Sequence, residues 1–320
     1  MRFSVRFYVA ASLVVLVLLA AIVGPMIVGV DPNASIGGLY DKPGAHPGIP
    51  GILGTDNEGQ SVMANLLYGT RTSLLVGLIA GIVASAIGLV IGLIAGYAGG
   101  ILEEILMGLT NIMLAIPSVV IVILLSVSLP TRNIFTLALV IGITSWPWTA
   151  RAVRAQATSV RTREHIEVAK MSGANFWSIL AWDVLPYLLS YVVMAFVLQV
   201  ASAILTESSL SMLGLGPSNI VSIGMMLNWA LAWGSIRVGA WWAFIPPTVM
   251  LTLIAFSLFL LQSSLDELFN PRLRRGKKLK ATAITTDDDD EFLPLAGSAA
   301  GPAALMEAAV ADSGRQEVKP

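Results

Sequence analysis

Six apolar stretches, each near the length of a bilayer crossing, constrain this chain more than any other feature. They run over about 7–30, 73–98, 105–129, 134–150, 188–212 and 241–262. A helix rises about 1.5 Å per residue, so about 20 apolar residues cross the hydrocarbon core. The fold expected is all-α: a polytopic membrane protein with six transmembrane helices. Composition agrees. Of 320 residues, 56% are hydrophobic and 12% charged, against about 45–50% and about 25% in an average soluble domain. That balance is hard to house in one water-facing core and natural where lipid covers the surface. The net charge of −1 points to neither nucleic acid nor an acidic ligand, and the chain has no cysteine. A disulfide framework, a thiolate metal site and a Cys nucleophile are therefore excluded, while the redox compartment stays open.

The first stretch has Ala20, Ala21 and Gly24 where a signal peptide would be cleaved. It is longer than the about 7–15 residues of a signal core, and five further stretches follow, so a retained helix is expected. The fourth stretch is short and ends on Trp146, Pro147 and Trp148, which suit an interface and a kink. In the second, Gly77, Gly81, Gly88, Gly92 and Gly96 lie mostly four apart. Such spacing lets helix backbones approach closely in lipid, either at a subunit interface or within one bundle.

Lysine and arginine orient the spans. With the N-terminus in the cytoplasm, thirteen fall inside: Arg2, Arg6, Arg151, Arg154, Arg161, Arg163, Lys170, Arg272, Arg274, Arg275, Lys277, Lys278 and Lys280. Four fall outside: Lys42, Arg71, Arg132 and Arg237. Both termini are expected inside.

The membrane domain then covers 1–280, with an external segment at 31–72, an internal loop at 151–187 and an external loop at 213–240. Residues 281–320 read as a disordered cytoplasmic tail, lacking apolar periodicity and carrying Asp287 to Asp290. Within the internal loop, Arg151 to Ser172 reads as one helix stopped by Gly173, and a second starts at Asn175. Ile166, Ala169, Met171, Phe176 and Trp177 exceed what a solvated loop needs. Either a partner covers some of them or the loop packs on its own bundle.

Glu167-Val168-Ala169, three residues, Gly173, nine residues, then Asp183-x-Leu185-Pro186 resembles the Glu-Ala-Ala loop of bacterial ABC-importer permeases. Val168 and Asp183 depart from the usual Ala and Ile. Further stretches resemble the C-type subunit of dipeptide/oligopeptide/nickel-type permeases. They are Leu53-Gly54-Thr55-Asp56 to Gly59; Leu67-Tyr68-Gly69-Thr70-Arg71; Ile116-Pro117-Ser118; Leu205 to Ser211 with Gly214-Leu215-Gly216; and Leu265-Asp266-Glu267 leading to Asn270-Pro271-Arg272-Leu273-Arg274. The resemblance covers about 50–275.

It implies a multi-pass permease of the bacterial cytoplasmic (inner) membrane that imports peptides, or oligosaccharides or nickel. The partners implied are a second homologous permease, two cytoplasmic ATPase subunits and an extracytoplasmic substrate-binding protein. It implies that Glu167, Ala169, Gly173, Ala174, Phe176 and Trp177 lie on a coupling helix that docks on an ATPase. It also makes Pro117 a pathway or gate candidate. Trp229, Trp233, Trp241 and Trp242 fit an outer aromatic belt, with Trp229 and Trp233 alternatively facing the binding protein. No phosphate loop is present. The resemblance implies that the cofactors, ATP and magnesium, act in partner subunits, and no catalytic residue and no metal site are expected here. His46 and His165 are too far apart to share a metal. Glu207, the one acidic residue within the apolar stretches, is either a hydrogen-bonded helix-end carboxylate or part of a gate. An ion-coupled secondary transporter would call for paired intramembrane charges, and a non-transporting scaffold would not need the ordered motifs.

Overall fold

The computed structural model describes residues 5–129, 131–217 and 220–269. The helices are α1 Val5–Val28, α2 Val62–Ala98, α3 Gly100–Ala115, α4 Ser118–Ser128, α5 Ile134–Arg161, α6 Glu164–Met171, α7 Phe176–Ser178, α8 Leu185–Met212, α9 Ile223–Ala232 and α10 Trp241–Phe269. A π-helical turn, Ile179–Val184, joins α7 to α8. Among the described residues, Val5–Val28, Val62–Ala98, Phe176–Met212 and Trp241–Phe269 are long and apolar enough to cross a membrane. α3 and α4 make a fifth if the 79° bend between them is one broken span. Pro117 accounts for the bend, because it has no N–H to donate and holds Ile116 in extended backbone. The remaining apolar stretch, 134–150, is the first part of α5, and it does not pass as a span by length and apolarity alone.

Three boundaries differ from the sequence expectation. α2 starts eleven residues earlier than the apolar stretch, because Ser61 caps it by accepting from the Ala64 amide at 3.1 Å. Arg71 therefore sits on a helix rather than in the external segment. α5 runs on through Pro147 to Arg161, and Trp146 is buried while Trp148 is half exposed. Only Trp148 of that pair is open enough for an interface residue. The helix expected over Arg151 to Ser172 is two helices, broken at Thr162 and Arg163. The tail 281–320 and the basic run from Arg272 lie outside the described residues.

The glycine stripe of α2 is a seam inside the bundle. A Cβ on Gly88 would stand 2.6 Å from the Thr149 Cβ, and one on Gly92 would stand 2.6 Å from the Ala150 carbonyl oxygen of α5. Only hydrogen allows those backbones to meet. Gly77 and Gly81 face Ile204 and Val200 of α8 in the same way. α2 thus joins α5 to α8, and α1 closes against α10 and α2.

Candidate functional site

The loop between α5 and α8 has one face on the bundle and one face open. Ile166 is fully buried, with Ile179, Leu180 and Val184, in a cluster that includes Leu93 and Tyr97 of α2 and Val153, Ala157 and Val160 of α5. Ala169, Ala174 and Phe176 pack partly onto it, and the Phe176 ring lies 5.1 Å from the Tyr97 ring. Outward stand Glu167, Val168, Gly173, Met171 (81% exposed) and Trp177 (64%). The apolar excess thus divides: the bundle covers Ile166, Ala169 and Phe176, and leaves Met171 and Trp177 uncovered.

Local chemistry fixes this shape. Gly173 takes φ 78°, where a Cβ is strained. Its amide reaches the Lys170 carbonyl at 3.0 Å, and the Ala174 amide reaches Ala169 at 3.1 Å. These two bonds close α6 as a Schellman motif. Asn175 then caps the next turn, its Oδ1 accepting from the Ser178 amide at 2.7 Å. The sequence had marked both the stop and the restart. It had not marked Trp182, 79% exposed on the π-helical turn, because an unbroken α-helix would have been the default there. Basic side chains lie over tyrosines at this end: Arg163 is 4.5 Å from the Tyr187 ring and Lys170 5.5 Å from the Tyr97 ring. His165 stacks on Tyr187 at 5.0 Å. Arg151 and Arg154 fasten α5 to α3, Arg151 donating to Asn111 Oδ1 at 2.7 Å and Arg154 pairing with Glu103.

Glu207 is fully buried. Its carboxylate accepts from Ser73 of α2 at 2.8 Å, from Ser211 at 2.6 Å and from Ser208 at 3.3 Å. Ser73 Oγ in turn accepts from the Ile223 amide at 3.3 Å. The group therefore knots α2, α8 and α9 where α9 begins, the arrangement of a satisfied helix-end carboxylate. Pro117 is exposed at the α3–α4 bend, and the two gate candidates are not brought together.

The segment before α2, expected outside, is a folded loop. Thr55 Oγ1 accepts from the Asp41 amide at 2.7 Å and donates to the Gly38 carbonyl at 2.6 Å. The Thr55 carbonyl accepts from the Trp242 indole at 3.0 Å. Asp56 Oδ1 accepts from the Glu58 and Gln60 amides, both at 2.9 Å, and Oδ2 accepts from Asn65 at 3.0 Å. Burial pushes the Asp56 carboxyl above its ordinary range. His46 lies 2.8 Å from Asp41, which that contact and the Gly38 amide hold below its ordinary range. Trp242 is thus a clamp on the motif, more than an interface residue.

Comparison with known proteins adds to this geometry. The family described as "Binding-protein-dependent transport system inner membrane component" matches residues 88–275. The dipeptide transport system permease protein DppC of Bacillus subtilis is 31% identical over 80% of this chain and 78% of its own length. The oligopeptide permease protein OppC of the same organism is 31% identical over 83% and 86%. The probable D,D-dipeptide permease protein DdpC of Escherichia coli is 30% identical over 78% and 83%. A chain of the inward-facing MetNI methionine ABC transporter superposes with a TM-score of 0.52 at 19% identity, covering 65% of this chain and 95% of that one. At that identity the likeness is one of fold.

Proposed function

The chain belongs to the family of binding-protein-dependent transport system inner membrane components, and from that membership we propose that it is the permease half of a peptide importer, with the loop at 163–184 as its coupling surface. The observation that carries the coupling assignment is the division of that loop into two faces. Ile166, Ala169 and Phe176 hold it on the bundle, while Glu167, Val168, Met171 and Trp177 stand outward. An exposed patch of that kind needs a cover, and a carboxylate in its middle needs donors under that cover. A groove on a cytoplasmic ATPase meets both needs. ATP and magnesium act in that partner, and closure of two ATPase subunits moves the loop. The close-packed α2–α5–α8 seam passes the motion on.

Peptide is the substrate because the relatives are named for dipeptide and oligopeptide transport. A second permease and an extracytoplasmic binding protein complete the machine, and both termini lie in the cytoplasm. The test is co-purification of the ATPases with Glu167→Ala and Met171→Ala variants, together with hydrolysis stimulated by loaded binding protein in reconstituted membranes. Both variants are expected to insert and to lose ATPase capture or stimulation. Normal capture with unchanged transport would refute the coupling surface.

A further inference from the structure

A groove of about 510 Å³ opens between α1, α2, α8 and α10. Its walls are apolar, with Leu18 of α1, Leu75 and Leu78 of α2 and Phe196 of α8. Among the described residues that line it, Arg71 is the one charged side chain. Leu74, Leu75 and Leu78 follow Arg71 at helical spacing, so one face of α2 carries a cation and then an apolar strip about 10 Å long. Arg71 marks the groove's end nearest the folded external segment. Its guanidinium is exposed, and no hydrogen bond or ion pair to it occurs among the described residues.

We propose that this groove holds one glycerophospholipid, its phosphate on Arg71 and an acyl chain along Leu75 and Leu78. Two observations select that occupant. The chain is a membrane component and the groove's lining is almost wholly apolar, which suits an acyl chain. An unpaired guanidinium at the rim of such a surface is costly unless an anion meets it. A phosphate accepts from the planar fork of an arginine through two parallel bonds. A headgroup phosphate stands just beyond its own acyl chain, the order in which α2 presents cation and leucines. A soluble peptide or a metal ion would use only one end of that pattern.

The experiment uses the full chain, purified with its permease partner in nanodiscs of phosphatidylethanolamine and phosphatidylglycerol. The probe is a phosphatidylethanolamine with a photoreactive acyl chain. Cross-links are expected on peptides holding Leu18 and Leu75. Arg71→Gln is expected to cut them about fivefold, the worth of one basic residue at a membrane surface, and Arg71→Lys to retain most of them. Leu78→Trp, which fills the groove, is expected to remove them, while Arg237→Gln, a basic change elsewhere on the expected outer side, leaves them unchanged. Equal labelling of Arg71→Gln and the unmodified chain would overturn the site, as would cross-links from the groove to a helix of the partner permease. If Leu78→Trp fails to assemble, the Arg71 pair alone decides.

Discussion

Asp56 is charged in water and half-starved of it in the folded loop. Three donors meet it, yet the net effect of burial is to raise its pKa from the ordinary 3.8. The folded pKa then exceeds the unfolded one. The stability that protonation gives the loop is complete below the unfolded value and is lost as pH rises through the folded value. Protease resistance of the 35–61 segment is therefore expected to fall as pH climbs from below 3.8 toward neutrality. Asp56→Asn is expected to flatten that dependence. It stays folded because Asn keeps an acceptor for the two amides, and Asn65 Oδ1, buried without a partner among the described residues, offers an acceptor to the new amide. A pH profile of digestion that is the same in both proteins would count against the burial account. Glu207 is a different case, since hydroxyls surround its carboxylate. Glu207→Gln is expected to assemble normally, because serines reverse donor and acceptor roles. Glu207→Leu strands Ser208 and Ser211, while Ser73 keeps the Ile223 amide, and is expected to cost about 1–3 kcal/mol for each hydroxyl left unpaired, read as a loss of melting temperature in the purified complex. A Gln variant that assembles yet no longer transports would move Glu207 from the fold to the pathway. The sequence marked Glu207 as unusual but held no sign of Ser73, which lies 134 residues away.

At the scale of elements, the loop after α5 separates stability from docking. Phe176→Ala removes a half-buried ring from the Tyr97 contact and is expected to destabilise by about 1–3 kcal/mol, less than a full core truncation. Trp177→Ala, next to it but 64% exposed, is expected to change stability by less than about 0.5 kcal/mol and to reduce ATPase capture. Melting curves and pull-downs on the two variants check the split, and equal behaviour of the pair would show that the loop's two faces are not distinct. This division was half legible in the sequence. Gly173 and Asn175 announced where one helix stops and the next starts, and the structure closes both ends as those residues require. Which of Ile166, Met171, Phe176 and Trp177 face the bundle was not legible, because the break at Thr162 and Arg163 and the left-handed turn at Gly173 reset the helical phase before and between them. The glycines of α2 were equally ambiguous. Spacing says that a helix comes close and not which one, and the partners turn out to be α5 and α8 of the same chain. Gly92→Leu would drive a side chain into the Ala150 carbonyl, and it is expected to abolish accumulation of the chain in the membrane, measured by immunoblot of membrane fractions.

The orientation proposed for the whole molecule rests on charge, and the structure refines where that charge sits. Arg71 belongs to α2, and Arg151, Arg154 and Arg161 belong to the extension of α5, so the flanks are helical rather than looped. The asymmetry of thirteen against four remains, because the positive-inside rule counts basic residues near the ends of spans whatever their backbone conformation. Apolar length was legible for the same reason: a crossing needs a run of carbon, which a sequence states directly. The folded segment before α2 was less so. Its contacts reach from Thr55 to Trp242 and from Tyr40 to Ser235, separations no local pattern reports. If the count of positive charge governs insertion, the segment before α2 is extracytoplasmic and the break between α5 and α6 is cytoplasmic. The chain has no cysteine, so single introduced thiols report cleanly. Ala34 and Thr162 are both exposed and sit at those two places. Ala34→Cys is expected to react with a membrane-impermeant maleimide in intact cells or spheroplasts, and Thr162→Cys only after the membrane is opened. The reverse pattern would invert the molecule. It would put Glu167 and Trp177 beyond the reach of any cytoplasmic ATPase and end the coupling assignment together with the topology.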